Sequence, residues 1–147
     1  MSYFKFISDA VGDMVTGPPK DYKAVVKQLD GFDYIKIDPA LTVLTPNPPK
    51  QGDTIHIEME AEVLKYMAYH ATVCRVYALG FMVWDGYFDY DDDNYTVELF
   101  PGDTFKQTVN YKIQPVGISL NTRFELKLFG HLTNDDEVFT LSAEVWL

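Results

Sequence analysis

Residues 46–63 read Pro-Asn-Pro-Pro-Lys-Gln-Gly-Asp-Thr-Ile-His-Ile-Glu-Met-Glu-Ala-Glu-Val. The prolines at 46, 48 and 49 cannot donate to a backbone ladder or sit inside a helix, so the stretch opens as a rigid corner. From Thr54 onward the pattern is strict apolar/polar alternation, the period of a strand with one buried face. Ile55, Ile57, Met59, Ala61 and Val63 share that face, while His56, Glu58, Glu60 and Glu62 share the other. One apolar strand face needs a second layer to cover it, which predicts a layered β fold.

The rest of the chain supplies the layer. Runs of β-branched and aromatic residues, separated by Gly, Pro, Asn and Asp clusters, predict strands at 34–37, 41–45, 54–63, 72–84, 96–99, 104–113, 122–129 and 138–146. Seven or eight strands with turn signals between them fit an all-β antiparallel sandwich. Alternation turns Phe105, Val109, Tyr111 and Ile113 inward, then Phe124, Leu126 and Leu128, then Phe139, Leu141, Ala143 and Val145. The run 72–84 is apolar on both faces, which predicts cover on both sides, supplied by an N-terminal helix. That helix is expected from Phe4, Ile7, Val11, Met14 and Val15, which recur near helical spacing before Gly17-Pro18-Pro19. A second helical turn is expected over 21–29, where Tyr22, Val25, Val26 and Leu29 share a face before Gly31. The chain thus divides into a helical N-terminal extension, 1–30, and a β-sandwich domain, 31–147.

Composition narrows the function. At 147 residues the chain holds one core of useful size. A net charge of −10 argues against nucleic acid as partner, because phosphate backbones are met by clustered Lys and Arg. Lys5, Lys20, Lys23 and Lys27 are the one basic concentration, so any transient membrane contact falls to the extension. Cys74 stands alone, which removes an internal disulfide and points to a reducing, cytoplasmic compartment, with secretion by another route left open. No signal peptide is read, since Lys5, Ser8, Asp9 and Asp13 interrupt the apolar residues near the start. Aromatic residues make up 15% of the chain, and side chains of that size need a core, a pocket or an interface.

Chemistry-bearing patterns are weak. The run Asp85-Gly86-Tyr87-Phe88-Asp89-Tyr90-Asp91-Asp92-Asp93-Asn94-Tyr95 invites a calcium loop. It lacks the Gly and Glu an EF-hand requires at its sixth and twelfth places, and reads as a solvated loop. His56, His70 and His131 are scattered, so no metal site is expected. No Gly-x-Ser-x-Gly elbow occurs, and Cys74 lies in an apolar run where a thiol is inert, so no catalytic residue is assigned. Glu58, Glu60 and Glu62 share a face as a solvent side does, rather than as an acid/base pair.

The corner at Pro46, Asn47, Pro48, Pro49 and Gly52 resembles an early strand of the ML family, the MD-2-related lipid-recognition domains. It is most similar to their fungal phosphatidylglycerol/phosphatidylinositol transfer branch, close to the Niemann-Pick type C2 sterol carriers. A second similarity runs from Leu99 to Val145, carried by Leu99, Gly102, Asp103, Phe105, Leu126, Leu141 and Val145. Val97 and Thr140 stand where the family's half-cystines would be, and residues 1–30 have no counterpart in its mature domain. The resemblance implies an immunoglobulin-like sandwich whose sheets part to admit a phospholipid, fatty acid or sterol-like ligand, without enzymatic chemistry or cofactor.

The candidate lining residues are Ile57, Met59, Phe81, Trp84, Phe88, Phe100, Val109, Tyr111, Phe124, Leu126, Phe139 and Leu141. The same residues would also fill an ordinary core. The alternative is therefore a filled-core interaction or structural module that forms a homodimer through the N-terminal helix and exposed aromatics. The extension has three roles open to it: a cap, a dimer contact or a gate.

Overall fold

The computed structural model describes Pro18, residues 21–114 and residues 122–147, and among these it contains ten strands and no helix. The strands are β1 (Val26–Asp30), β2 (Ile35–Ile37), β3 (Val43–Thr45), β4 (Thr54–Val63) and β5 (Met67–Ala78). After them come β6 (Phe81–Asp89), β7 (Val97–Leu99), β8 (Thr104–Lys112), β9 (Arg123–Leu132) and β10 (Glu137–Trp146). The larger sheet runs β1-β10-β9-β5-β6, with β7 beside the start of β5. In the smaller sheet β8 pairs along one side of β4, while β2 and β3 share its other side. Every pairing is antiparallel.

The two sheets face each other across the residues that alternation turned inward. Ile55, Ile57, Met59, Ala61 and Val63 keep at most 3% of their surface, and the inward residues of β10, from Phe139 to Val145, keep at most 2%. Each large aliphatic side chain so buried stabilises the fold by about 2 kcal/mol relative to exposure. The corner at 46–49 carries cis bonds at Thr45-Pro46 and Asn47-Pro48.

Three expectations are corrected. The stretch 72–84 is not one strand: β5 ends at Ala78 and β6 begins at Phe81, paired back upon it. The two intervening residues, Leu79 (φ 52°) and Gly80 (φ 84°), both have positive φ, the geometry of a two-residue hairpin turn. Leu at the first of these places hides the usual Asn-Gly or Asp-Gly signal. The helical turn expected over 21–29 is instead β1, an edge strand on β10 with Val26 opposite Ala143. Its spacing of apolar residues is helical, and the sheet edge overrides it: Val26 turns into the core while Val25 and Leu29 are left exposed. The acidic run at 85–95 is not wholly loop, because its first five residues are the second half of β6.

The N-terminal helix read over 4–15 lies outside the described residues. Among the described residues, the outer face of β5 carries Arg75, which lies 4.4 Å over the Phe129 ring and bonds Glu137 at 3.1 Å.

The turn yields a test of the fold. Leu79→Asn places a residue that tolerates positive φ at the hairpin's first central position, and is expected to stabilise the protein by about 0.5–1 kcal/mol. Urea unfolding checks it, and a lowered midpoint would count against the turn.

Candidate functional site at the seam between the sheets

Facing sheets share no backbone ladder, so away from the short connections that carry the chain between them, at 31–34, 64–66 and 100–103, side chains hold them in register. Their four corners are held differently. On the β1 side, Gln28 reaches across to β2, donating to the Ile35 carbonyl at 2.9 Å and accepting from the Ile37 amide at 3.3 Å. At the other end of that side, the Asn47 amide brackets Ala24, accepting from its N–H and donating to its carbonyl, both at 2.8 Å. The proline corner thus presents Asn47 to the strand that begins the opposite sheet.

The β6 side is held at one end by Gln107 of β8. Its Nε2 donates to the carbonyls of Phe88 and Asp89 at 3.0 and 3.1 Å, and its Oε1 accepts from the Thr72 hydroxyl at 2.6 Å. Thr72 spends its one proton there, so Tyr69, 2.6 Å away, must donate its phenol proton to Thr72 Oγ1. Burial pushes the Tyr69 phenol well above the ordinary range, which keeps that proton in place. Tyr90 adds its hydroxyl as acceptor for the Lys106 amide. Around this chain pack four rings: Tyr69 lies stacked on Phe139 at 5.9 Å and edge-on to Phe105 at 5.1 Å and Tyr90 at 5.4 Å.

The fourth corner, toward the Leu79-Gly80 turn, is closed by Trp84 of β6 against Tyr111 of β8, ring centroids 4.7 Å apart. A ring pair adds about 0.5–1.5 kcal/mol beyond its burial. The Gln107 bridge combines three hydrogen bonds of about 1 kcal/mol each with the larger penalty of leaving buried partners unmet. Trp84 lies along its own strand, its ring so close over Gly86 that a Cβ there would stand 2.3 Å from the indole. Behind the pair are Cys74, Val76, Leu126, Val109 and Ile57, all apolar and at most 1% exposed.

The twelve sequence candidates separate into three groups. Ile57, Met59, Val109, Leu126, Phe139 and Leu141 are closed core, at most 1% exposed. Trp84, Phe88, Tyr111 and Phe124 are half-buried against that core. Phe81 (71% exposed) and Phe100 (51%) stand outside it. Phe100 packs on Tyr66 at 5.3 Å, near the start of β5, about 30 Å along the strand from the Trp84 level. The structure therefore brings Trp84, Tyr111 and Phe124 to one end and leaves Phe100 at the other.

Of the residues that stitch the corners, sequence reasoning missed Gln28, Thr72 and Gln107, and named Asn47 only as part of the proline corner. Gln107 carried a signal, since it is a polar residue in the apolar phase between Phe105 and Val109.

The titratable groups elsewhere are engaged structurally. The His70 Nδ1 proton goes to the Tyr95 carbonyl at 2.6 Å, and His131 Nε2 meets Glu137 at 3.1 Å on the outer face. Asp91 folds back on its own loop, and the amide of Asp93 in particular lowers its carboxyl from the ordinary value. Among the described residues no three His, Cys, Asp or Glu side chains converge as a metal site.

No family model matches the chain, and no curated protein matches it. Among solved structures it is similar to a Niemann-Pick type C2 protein from Japanese carpenter ant, with 14% identity, 83% of this chain and 92% of that chain covered, and a TM-score of 0.42.

Two measurements check the seam. Gln107→Ala should cost about 3 kcal/mol in urea unfolding, while Thr108→Ala, on the exposed phase of the same strand, should cost under about 0.5 kcal/mol. Equal costs would mean that the bridge does not hold the sheets. Burial also pushes the Cys74 thiol up to about 12. A raised acid favours folding while it stays protonated, so its contribution is whole below the unfolded thiol value and is lost as pH rises toward 12. Above about pH 9, wild type should therefore lose roughly 1.4 kcal/mol per pH unit more than Cys74→Ala. Parallel alkaline profiles would show that the thiol ionises without opening the core.

Proposed function

We propose that this chain is a non-enzymatic binding protein that takes a phospholipid, fatty acid or sterol-like body between its two sheets. The observation that carries this reading is the corner at Trp84 and Tyr111, where half-buried rings stand over an interior of apolar side chains. An apolar tail entering there exchanges water for aliphatic contacts at about 25 cal/mol per Å², so a chain burying roughly 400 Å² gains on the order of 10 kcal/mol before costs. The sequence resemblance at 46–63 and 99–145 supports the same class of ligand.

The cost is packing. Side chains behind the rings are at most 1% exposed, so a ligand must part the sheets rather than fill a standing void. Three stitched corners keep the parted sheets in register, and the Tyr69–Thr72–Gln107 chain bounds the depth of the opening. Covalent chemistry has little footing here, because the one thiol near the opening is held protonated by burial. A reducing, cytoplasmic setting is consistent with that lone buried cysteine.

The closed core is also what a filled-core interaction module would have, and one experiment separates the two. Native mass spectrometry of the purified protein, with organic extraction of what is released, is expected to give one lipid per chain. Phe124→Ala, at a half-buried ring, should lower that occupancy several-fold while leaving the fold intact. A mass that stays bare after incubation with phosphatidylcholine vesicles, oleate and cholesterol would overturn the carrier and leave the interaction module, visible as a concentration-dependent oligomer by light scattering.

A further inference from the structure

We infer that the Trp84–Tyr111 corner is a portal, at which the edges of β6 and β8 separate locally while the other three corners stay joined. No backbone ladder links β6 to β8; each pairs within its own sheet. At the far end of the same seam the Gln107 bridge and the Tyr90 hydroxyl tie them together. On the opposite side Gln28 and Asn47 do the same for β1 and the smaller sheet. Among the described residues, separation therefore costs least where the closure is a ring laid against a ring.

The local strand geometry favours that place. The β5–β6 register slips between Val76 and Tyr77, so Val83 is left without a partner one residue before Trp84. Gly86 gives the indole a bed and no side chain to lock it. On the turn side of β6 the surface bordering the corner is apolar, with Phe81, Met82 and Val83 each more than half exposed. A path lined in this way suits a hydrocarbon chain and rejects a charged headgroup, so a ligand enters tail first and leaves its polar end outside.

The portal carries its own reporter. Cys74 is the sole cysteine, pairs with Gly86 across the ladder, and lies near enough to Tyr111 to act on its phenol, yet is 0% exposed. Its reaction with a small thiol reagent requires an opening. The identity of what passes rests on the proposed carrier function, but the opening does not, and the two fail separately.

The test is the rate of Cys74 labelling by N-ethylmaleimide, followed against urea below the unfolding transition. A local portal gives a rate nearly independent of urea, whereas global unfolding gives the full equilibrium slope. Trp84→Ala, and independently Gly86→Ala, whose new Cβ displaces the indole, should each speed the urea-independent labelling at least tenfold. Gln28→Ala, at the opposite corner, should leave it within twofold. Labelling that follows the global slope in wild type and in all three variants would overturn the portal. Release of a fluorescent fatty acid should quicken in the same two variants. Accelerated labelling without any fatty-acid binding would keep the portal and sink the carrier.

Discussion

The fold depends on one buried amide. Beyond the short connections that join them at one end, two facing sheets meet over a greasy interface that has no preferred register unless something directional crosses it, and Gln107 is the strongest such side-chain crossing. It satisfies two carbonyls of β6 and the hydroxyl of Thr72, and through Thr72 it orients the Tyr69 phenol. Every member of that chain is paired, and among the described residues no buried side-chain polar atom lacks a partner. In a dry interior such a network fixes one arrangement because each alternative leaves a donor or acceptor unmet.

The interior is graded as a result. Toward Tyr66 and Phe100 the core is a cluster of rings around the polar chain, rigid by geometry as well as by hydrogen bonding. Toward the Leu79-Gly80 turn the fully buried side chains are aliphatic, among them Val76, Leu126, Ala143, Val145, Ile55 and Ile57, beneath the half-buried rings of Trp84, Tyr111 and Phe124. Aliphatic packing is non-directional, so it can be exchanged for an aliphatic ligand at small net change, which ring packing and hydrogen bonds do not permit. Stiffness at one end and substitutable packing at the other suit the binding proposed between the sheets.

Much of this was legible in the residues. The strands with one wet face, β4, β8, β9 and β10, declare themselves by alternation, and their inward side chains are the core. The boundary between β5 and β6 was not legible, because Leu79 takes positive φ under the compulsion of the hairpin rather than by its own preference. Nor was β1, since Tyr22, Val25, Val26 and Leu29 are spaced as a helix face, and only pairing with β10 overrides that period. The half-burial of Trp84 and the exposure of Phe81 and Phe100 depend on distance from the ends of the sandwich, a tertiary quantity that alternation does not encode. Gln107 was visible as an interruption of an apolar phase. Its partners were not, because a register slip between Tyr69 and Ala71 moves the inward phase from odd to even numbers and brings Thr72 beside Tyr69.

The proposed portal has the sandwich locked at the Gln107 end and yielding at the Trp84 end. Native-state hydrogen exchange measures this directly on paired amides of the same two central strands. Amides of 76–78 and 124–126 should open at a free energy well below the global value and with little dependence on urea, while those of 69–72 and 130–132 exchange only by global unfolding. Uniform protection along β5 and β9, or greater protection toward the turn, would contradict the account.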